Sequence, residues 1–264
     1  MIAIIGAGRM GEALLAGILN TGHDPADVLV TEARRERAEE LRERYGVASV
    51  PAARAAARAD TLVLAIKPQD MVAALNEIAA SLPADRLVIS VAAGITTTVL
   101  EKHLAAETAV VRAMPNTPAL VGQGMTALAA GTHASEEHLA RAEALLRPVG
   151  EVLRVPERHM DAVTALSGSG PAYFYLVAEA MIEAGVLMGL PRPTAERLVA
   201  QTAVGSAAML RDSGEHPALL REAVTSPGGT TAAALRELER RGLRSALTDA
   251  VEAARRRSRE LSEG

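Results

Sequence analysis

Met1-Ile-Ala-Ile-Ile-Gly-Ala-Gly-Arg-Met-Gly-Glu-Ala-Leu-Leu-Ala-Gly17 opens the chain, and its reading decides how the remainder is understood. Met1 to Ile5 is an apolar run without polar alternation, the pattern of a strand buried on both faces of a parallel sheet. Gly6, Gly8 and Gly11 follow as G-x-G-x-x-G, and Met10, Leu14, Leu15 and Ile18 then recur at helical spacing. Each glycine has a physical purpose. Gly6 permits a tight turn, Gly8 lets the backbone approach a pyrophosphate, and Gly11 lets the helix lie close on the strand. The phosphates would sit on the helix N-terminus, whose unpaired N–H groups and dipole attract anions. A strand before and a helix after the glycines separate a dinucleotide fingerprint from an ordinary glycine-rich turn.

Outward from this stretch, strands are expected at 28–31, 47–50, 61–66, 87–91 and 109–113. They alternate with helices at 34–45, 51–58 and 69–81 and with a further helix starting at 96–98. The alternation predicts an α/β protein, a Rossmann-like, doubly wound parallel sheet with helices on both faces, binding its ligand at the carboxyl ends of the strands. Those ends carry Gly6-Ala7-Gly8, Thr31-Glu32, Lys67-Pro68, Ala92-Ala93-Gly94 and Met114-Pro-Asn-Thr-Pro118. Residues 125–130 and 151–155 read as late edge strands around a helix at 135–146. Near Pro156 the pattern changes, and every later periodic segment is helical. The expected division is a dinucleotide-binding domain over 1–158 and an all-helical domain over 159–264. Residues 171–190 are apolar nearly all round, but Glu179 and Glu183 in their middle make a membrane span costly. A helix buried in an interface between copies of the chain is expected instead. Helices at 193–212, 217–224, 230–241 and 243–261 complete the chain.

Composition narrows the partners. A net charge of −4 and only four aromatic residues, Tyr45, Tyr173, Phe174 and Tyr175, leave neither the electrostatic nor the stacking contribution that nucleic-acid binding needs. The absence of cysteine excludes disulfides, thiolate metal sites and a cysteine nucleophile. His133 and His138 lack the spacing of a metal-binding helix, and no metal is expected. Met1 runs straight into a strand with no basic leader, so the expected location is cytoplasmic.

The chemistry must come from few groups. Both lysines, Lys67 and Lys102, lie in the first half, so the helical half cannot present a catalytic lysine. His159 and His216 read as surface or helix-end residues, and 167–170 does not form a nucleophile elbow. Thr225-Ser226-Pro-Gly-Gly-Thr-Thr231 reads equally as an N-capped helix start or as an anion cradle of backbone N–H groups with nearby hydroxyls. A carboxylate would fit such a cradle. A substrate that is already a protonated imine needs hydride and orientation more than a strong acid, and a threonine hydroxyl beside its nitrogen would suffice.

Seven stretches together carry a resemblance: Gly6-Ala-Gly-Arg-Met-Gly11, Ala65-Ile-Lys-Pro68, Ala92-Ala-Gly94, Arg112-Ala-Met-Pro-Asn-Thr-Pro-Ala119, Asp161-Ala-Val-Thr-Ala-Leu-Ser-Gly-Ser-Gly-Pro-Ala-Tyr173, Gly214-Glu-His-Pro217 and Ser226-Pro-Gly-Gly-Thr-Thr231. In this order they resemble the pyrroline-5-carboxylate reductase family. The resemblance implies reduction of the cyclic imine 1-pyrroline-5-carboxylate to L-proline, the last step of proline biosynthesis, with NADPH or NADH. It also implies a Rossmann domain followed by a helical domain through which two subunits interlock as a homodimer, with decamers in some members. By the same match Gly6, Ala7, Gly8, Arg9, Met10 and Gly11 would surround the pyrophosphate. Ala65, Ile66, Lys67 and Pro68 would line the cofactor groove with Val91, Ala92 and Ala93, and Met114 and Asn116 would lie toward the nicotinamide. Without the resemblance, Lys67 reads as a solvated strand-end residue and Asn116 as an Asx-turn. Ser226, Gly229, Thr230 and Thr231 would hold the substrate, with Thr231 as the catalytic hydroxyl at the ring nitrogen. At the ribose, Thr31, Arg34 and Arg35 suit a 2′-phosphate, whereas Glu32 suits a free 2′-hydroxyl. The balance favours NADPH and leaves NADH open. A β-hydroxyacid dehydrogenase shares this architecture but needs the lysine that the helical half lacks. A non-catalytic dinucleotide sensor is the remaining alternative, and the intact Ser226 to Thr231 stretch argues against it.

Overall fold

In the computed structural model, which describes residues 1–263, the opening run forms β1 (Ile2–Ile5) and the glycine turn leads into α1 (Arg9–Asn20). A short turn capped by the Asp24 carboxylate precedes β2 (Val28–Thr31) and α2 (Arg35–Tyr45). The alternation continues through β3 (Ala48–Ser49), α3 (Ala52–Arg58), β4 (Thr61–Leu64), α4 (Met71–Ala79), β5 (Leu87–Ser90), α5 (Thr97–Lys102) and β6 (Ala109–Met114). β7 (Gly124–Ala130), α6 (Glu136–Leu146) and β8 (Gly150–Arg154) close the sheet, whose order is β3-β2-β1-β4-β5-β6-β7-β8. Every residue of β1, β4, β5 and β6 is buried, which is why these runs show no polar alternation. Ile2 and Ile4 face one core with Leu14, Leu15 and Ile18 of α1. Ala3 and Ile5 face a second core with Ala55 of α3 and Met71, Leu75 and Ile78 of α4. Each such isoleucine, leucine or methionine side chain contributes about 1.5–3 kcal/mol on burial.

The sheet departs from the sequence expectation at its end. β7 runs antiparallel to β6 and lies inside the sheet, with β8 parallel to it on the edge. The connection 115–123 holds only a 3-10 turn, Thr117–Val121, and is too short for the crossover a parallel pair requires.

Beyond Arg154 every regular element among the described residues is helical: a 3-10 turn Glu157–His159, α7 (Met160–Val163), a π turn Thr164–Gly168, α8 (Gly170–Leu187), α9 (Arg192–Asp212), α10 (Pro217–Ala223), α11 (Thr230–Arg240) and α12 (Leu243–Glu263). The chain forms two compact units. The first holds Met1–Ser169 with the chain from Ala254 onward, and the second is Gly170–Ala253. This division differs from the expected boundary at 158/159 because periodicity reports the type of element and not its contacts. Met160, for example, is fully buried in a cluster with Met114, Ala127 and Ala129 of the sheet. The expected second domain ends at Gly264, which lies outside the described residues.

In the second unit α8 and α9 meet through small side chains. A Cβ on Gly185 would come within 3.1 Å of the Ala195 Cβ, and Arg192 pairs with Glu183 at 2.9 Å. α8 leaves Phe174, Tyr175, Leu176 and Leu187 between 64% and 89% exposed in the single chain. No described helix is long and apolar enough to cross a membrane.

Candidate active site

The strand order reverses between β1 and β4, where a doubly wound sheet opens its ligand crevice. Gly6 turns there with φ 92°, and a Cβ on it would lie 2.7 Å from both the Ala65 carbonyl oxygen and the Ile66 Cγ2. A Cβ on Gly11 would lie 2.1 Å from the Gly6 carbonyl oxygen, so α1 rests on the loop at glycine distance. Gly8 differs from both, because nothing of the protein lies within 4 Å of a Cβ placed there. It is also the N-cap of α1 and supplies no side-chain cap, which leaves the first N–H groups of the helix for an anion. The loop therefore fits a pyrophosphate. Ala7 is buried beneath it, Met10 packs on the core, and Arg9 is exposed at the helix start.

Neighbouring strand ends reach the same edge. Ala65 N–H donates to the Ile5 carbonyl at 2.8 Å and Val91 N–H to the Leu64 carbonyl at 3.0 Å, extending the ladder beyond β4 and β5. Ala92 is buried, and Ala93 packs against the Met114–Met160 cluster. Lys67 and Pro68 are exposed where the chain leaves the sheet, with Ile66 half-buried before them.

Asn116 forms no Asx-turn. Its Oδ1 accepts from Met125 N–H at 2.8 Å and its Nδ2 donates to the Ser167 carbonyl at 3.1 Å, so both ends of the amide are engaged within the protein. Ser167 lies in the π turn, where Ser169 N–H donates to the Thr164 carbonyl five residues back. The altered register frees carbonyls for outside donors, and Asn116 supplies one. This turn was missed from sequence. Its signal was Ser-Gly-Ser-Gly at 167–170, residues of low helical propensity.

Just past the carboxyl end of β2, Glu32 has only 9% of its side chain exposed and accepts from the Arg34 N–H at 3.0 Å and the Arg34 Nε at 3.2 Å. The Thr31 hydroxyl donates to the Val50 carbonyl at 2.9 Å, and Arg35 pairs with Glu39 on its own helix at 3.1 Å. Glu12, unremarked in the sequence, joins α1 to α2 by accepting from Arg37, from Arg44 at 3.0 Å and from the Tyr45 hydroxyl at 3.1 Å. Burial first, and then the bond to Glu12, push the Tyr45 hydroxyl above its ordinary pKa and keep it a donor.

The Ser226–Thr231 stretch belongs to the second unit. Gly229 is the N-cap of α11, and no side chain accepts a hydrogen bond from the first turn of the helix. Gly229 N–H donates to the Ser226 carbonyl at 3.0 Å, and the first intrahelical bond runs from Ala233 N–H to the Gly229 carbonyl at 3.1 Å. The N–H groups of Thr230, Thr231 and Ala232 thus lack helix partners. Thr231 is half-buried, and Ser226 and Thr230 are exposed. Two histidines cap helices instead: His138 shares a capping box with Ser135 at α6, and His216 accepts from Ala218 N–H at α10.

A dinucleotide loop at the switch point of the sheet, followed by a helical region with an apolar face, defines a nicotinamide-dependent oxidoreductase that dimerises through its C-terminal helices. Residues 157–261 match the family model described as pyrroline-5-carboxylate reductase dimerisation, and residues 1–94 match that described as NADP oxidoreductase, coenzyme F420-dependent. The pyrroline-5-carboxylate reductase of Corynebacterium melassecola is 46% identical over 264 residues, covering 98% of each chain. Among solved structures, the pyrroline-5-carboxylate reductase of Coxiella burnetii is 39% identical with a TM-score of 0.93, covering 99% of this chain and 98% of that one. The Plasmodium falciparum pyrroline carboxylate reductase with NADP bound is 31% identical with a TM-score of 0.88, covering 99% and 97%. The chain belongs to the pyrroline-5-carboxylate reductase family.

Proposed function

We propose that the protein reduces 1-pyrroline-5-carboxylate to L-proline, the last step of proline biosynthesis, with NADPH as the hydride source and NADH as a second donor. The observation that carries this reading is the start of α11, which no side chain caps and whose first N–H groups lack helix partners, in a stretch that also carries Ser226, Thr230 and Thr231, a set suited to a carboxylate beside a ring nitrogen. The two lysines lie outside the helical region, which speaks against a β-hydroxyacid dehydrogenase.

Gly6 to Gly11 hold the cofactor pyrophosphate in this reading, and Ala65 to Pro68, Val91 to Ala93 and Met114 line its groove. When bound, a reduced nicotinamide supplies the hydride. Ser226, Gly229 and Thr230 anchor the carboxylate and orient the imine carbon to receive it. The C=N electron pair then collects on nitrogen, where the Thr231 hydroxyl donates a hydrogen bond. Because the substrate enters as a protonated imine, the residues need supply no strong acid. Asn116 serves the site by fixing the backbone after Met114 through its two internal hydrogen bonds.

The test follows NADPH oxidation at its absorbance with and without 1-pyrroline-5-carboxylate, repeated with NADH. Imine-dependent oxidation is expected. Folded protein that binds a dinucleotide yet oxidises neither cofactor would overturn the reading in favour of a sensor. The same assay addresses cofactor choice. Glu32 holds Arg34 at the ribose end, so Glu32→Gln removes a negative charge and releases a guanidinium. It is expected to raise the NADPH-to-NADH ratio of kcat/KM by about tenfold, and an unchanged ratio would show that Glu32 does not face the ribose.

The need for reduced NADPH supports a cytoplasmic location, and the apolar face of α8 supports a homodimer. Assembly of dimers into a homodecamer is the larger state the family resemblance suggests, and sedimentation distinguishes the two.

A further inference from the structure

The segment from Ser90 to Thr97, which carries Val91, Ala92 and Ala93, is held at three places by residues with no direct part in the chemistry above. Thr97 N–H, an otherwise orphaned donor at the start of α5, donates to Glu157 Oε1 at 3.2 Å. The same oxygen accepts from Arg112 Nη1 at 2.9 Å. Arg112 is 2% exposed on β6, and among the described residues Glu157 is the one carboxylate paired with it. Its Nε and Nη2 are buried and without hydrogen-bond partners, so the guanidinium depends on this single contact. Gly94, buried with φ 75°, meets α12: a Cβ on it would lie 3.3 Å from the Leu261 Cβ and 3.4 Å from the Leu261 carbonyl oxygen. Ala93 packs against the cluster that contains Met160. α12 is tied to the same turn, since the Ser258 hydroxyl, 5% exposed, donates to Asp161 Oδ1 at 2.8 Å. One short stretch, 157–161, therefore grips β6 and the start of α5 through Glu157 and the C-terminal helix through Asp161, while its Met160 belongs to the cluster on which Ala93 packs.

We propose that Glu157 and Ser258 are positioning residues that hold the cofactor-lining loop Val91–Ala93 in its binding form, Glu157 by joining Arg112 to Thr97 and Ser258 by seating the end of α12 against Gly94. The inference rests on the assignment of that loop to the cofactor groove. Neither residue touches the reacting atoms, so loosening the loop weakens NADPH binding while turnover at saturation is retained.

The test uses the full chain and measures NADPH affinity by nicotinamide fluorescence, KM and kcat in the imine-dependent assay, and thermal unfolding without cofactor. Glu157→Gln is expected to raise both the Kd and the KM for NADPH by about fivefold to tenfold, with kcat retained. Ser258→Ala removes one hydrogen bond, keeps the fold, and shifts the same constants in the same direction by a smaller factor. The double variant departs from additivity, because both residues act on one loop. Lowered thermal stability with unchanged NADPH affinity in Ser258→Ala and Glu157→Gln would overturn the proposal, leaving both contacts purely structural. Wild-type protein run beside them separates the two readings: if it binds and oxidises NADPH while the variants match it, the positioning role falls and the proposed function stands. If it binds no nicotinamide cofactor at all, the functional reading falls and takes the positioning role with it.

Discussion

Thr231→Ala is expected to lower kcat by about 100-fold, the range for removing one hydrogen-bond donor from the site of developing charge. The residue sits on the first turn of α11, half-buried, with its N–H lacking a helix partner. Its proposed partner is the ring nitrogen, which gains an electron pair only as hydride arrives. The loss therefore falls on turnover and not on NADPH affinity, which a fluorescence titration of the same variant should find unaltered. Thr231→Ser keeps the hydroxyl and should recover most of the rate. Unchanged turnover in Thr231→Ala would remove the hydroxyl from the mechanism.

Gly8→Ala and Gly11→Ala are expected to separate binding from folding within one loop. At Gly8 the backbone angles, φ −68° and ψ −169°, are open to alanine, and no protein atom lies within 4 Å of the new methyl. Thermal stability without cofactor should be unchanged. In the proposed binding mode the methyl occupies the place where the backbone approaches the pyrophosphate, so NADPH affinity should fall by about tenfold to a hundredfold, the equivalent of one lost charge-assisted hydrogen bond. At Gly11 the methyl would lie 2.1 Å from a backbone carbonyl that cannot turn away. α1 must lift from the loop, an overpacking that costs about 1–3 kcal/mol, and both stability and affinity should fall. Paired thermal-unfolding and NADPH titrations decide it, and a Gly8→Ala variant as destabilised as Gly11→Ala would show that the space at Gly8 is not a ligand's.

The parts of this fold that were legible in sequence are those written in consecutive residues. The glycine spacing, the buried strands and the helices after Pro156 depend on local pattern, and the structure has them within a few residues. The antiparallel return of β7 depends on the length of a connection, a weaker signal than the apolar pattern on either side of it. Glu12, Glu157 and Asn116 were illegible in a stronger sense. Their partners stand far away in the chain, Arg44 and Tyr45 for Glu12, Arg112 and Thr97 for Glu157, and Ser167 for Asn116. Nothing in the composition around them marks the pairing. The Ser226–Thr231 stretch stood between these cases. Its residues suited a cap and a cradle equally, and the backbone adds that Gly229 is the N-cap and that no side chain caps the helix.

The apolar face of α8 also bears on how the protein comes into being. Phe174, Tyr175, Leu176 and Leu187 face water in a lone chain, and in the proposed homodimer a second copy covers them and completes the hydrophobic stabilisation of the helical unit. Folding and association then share one equilibrium governed by mass action, and stability becomes a property of concentration as well as of sequence. A newly made chain, scarce in its first moments, is at its most fragile before it meets its twin.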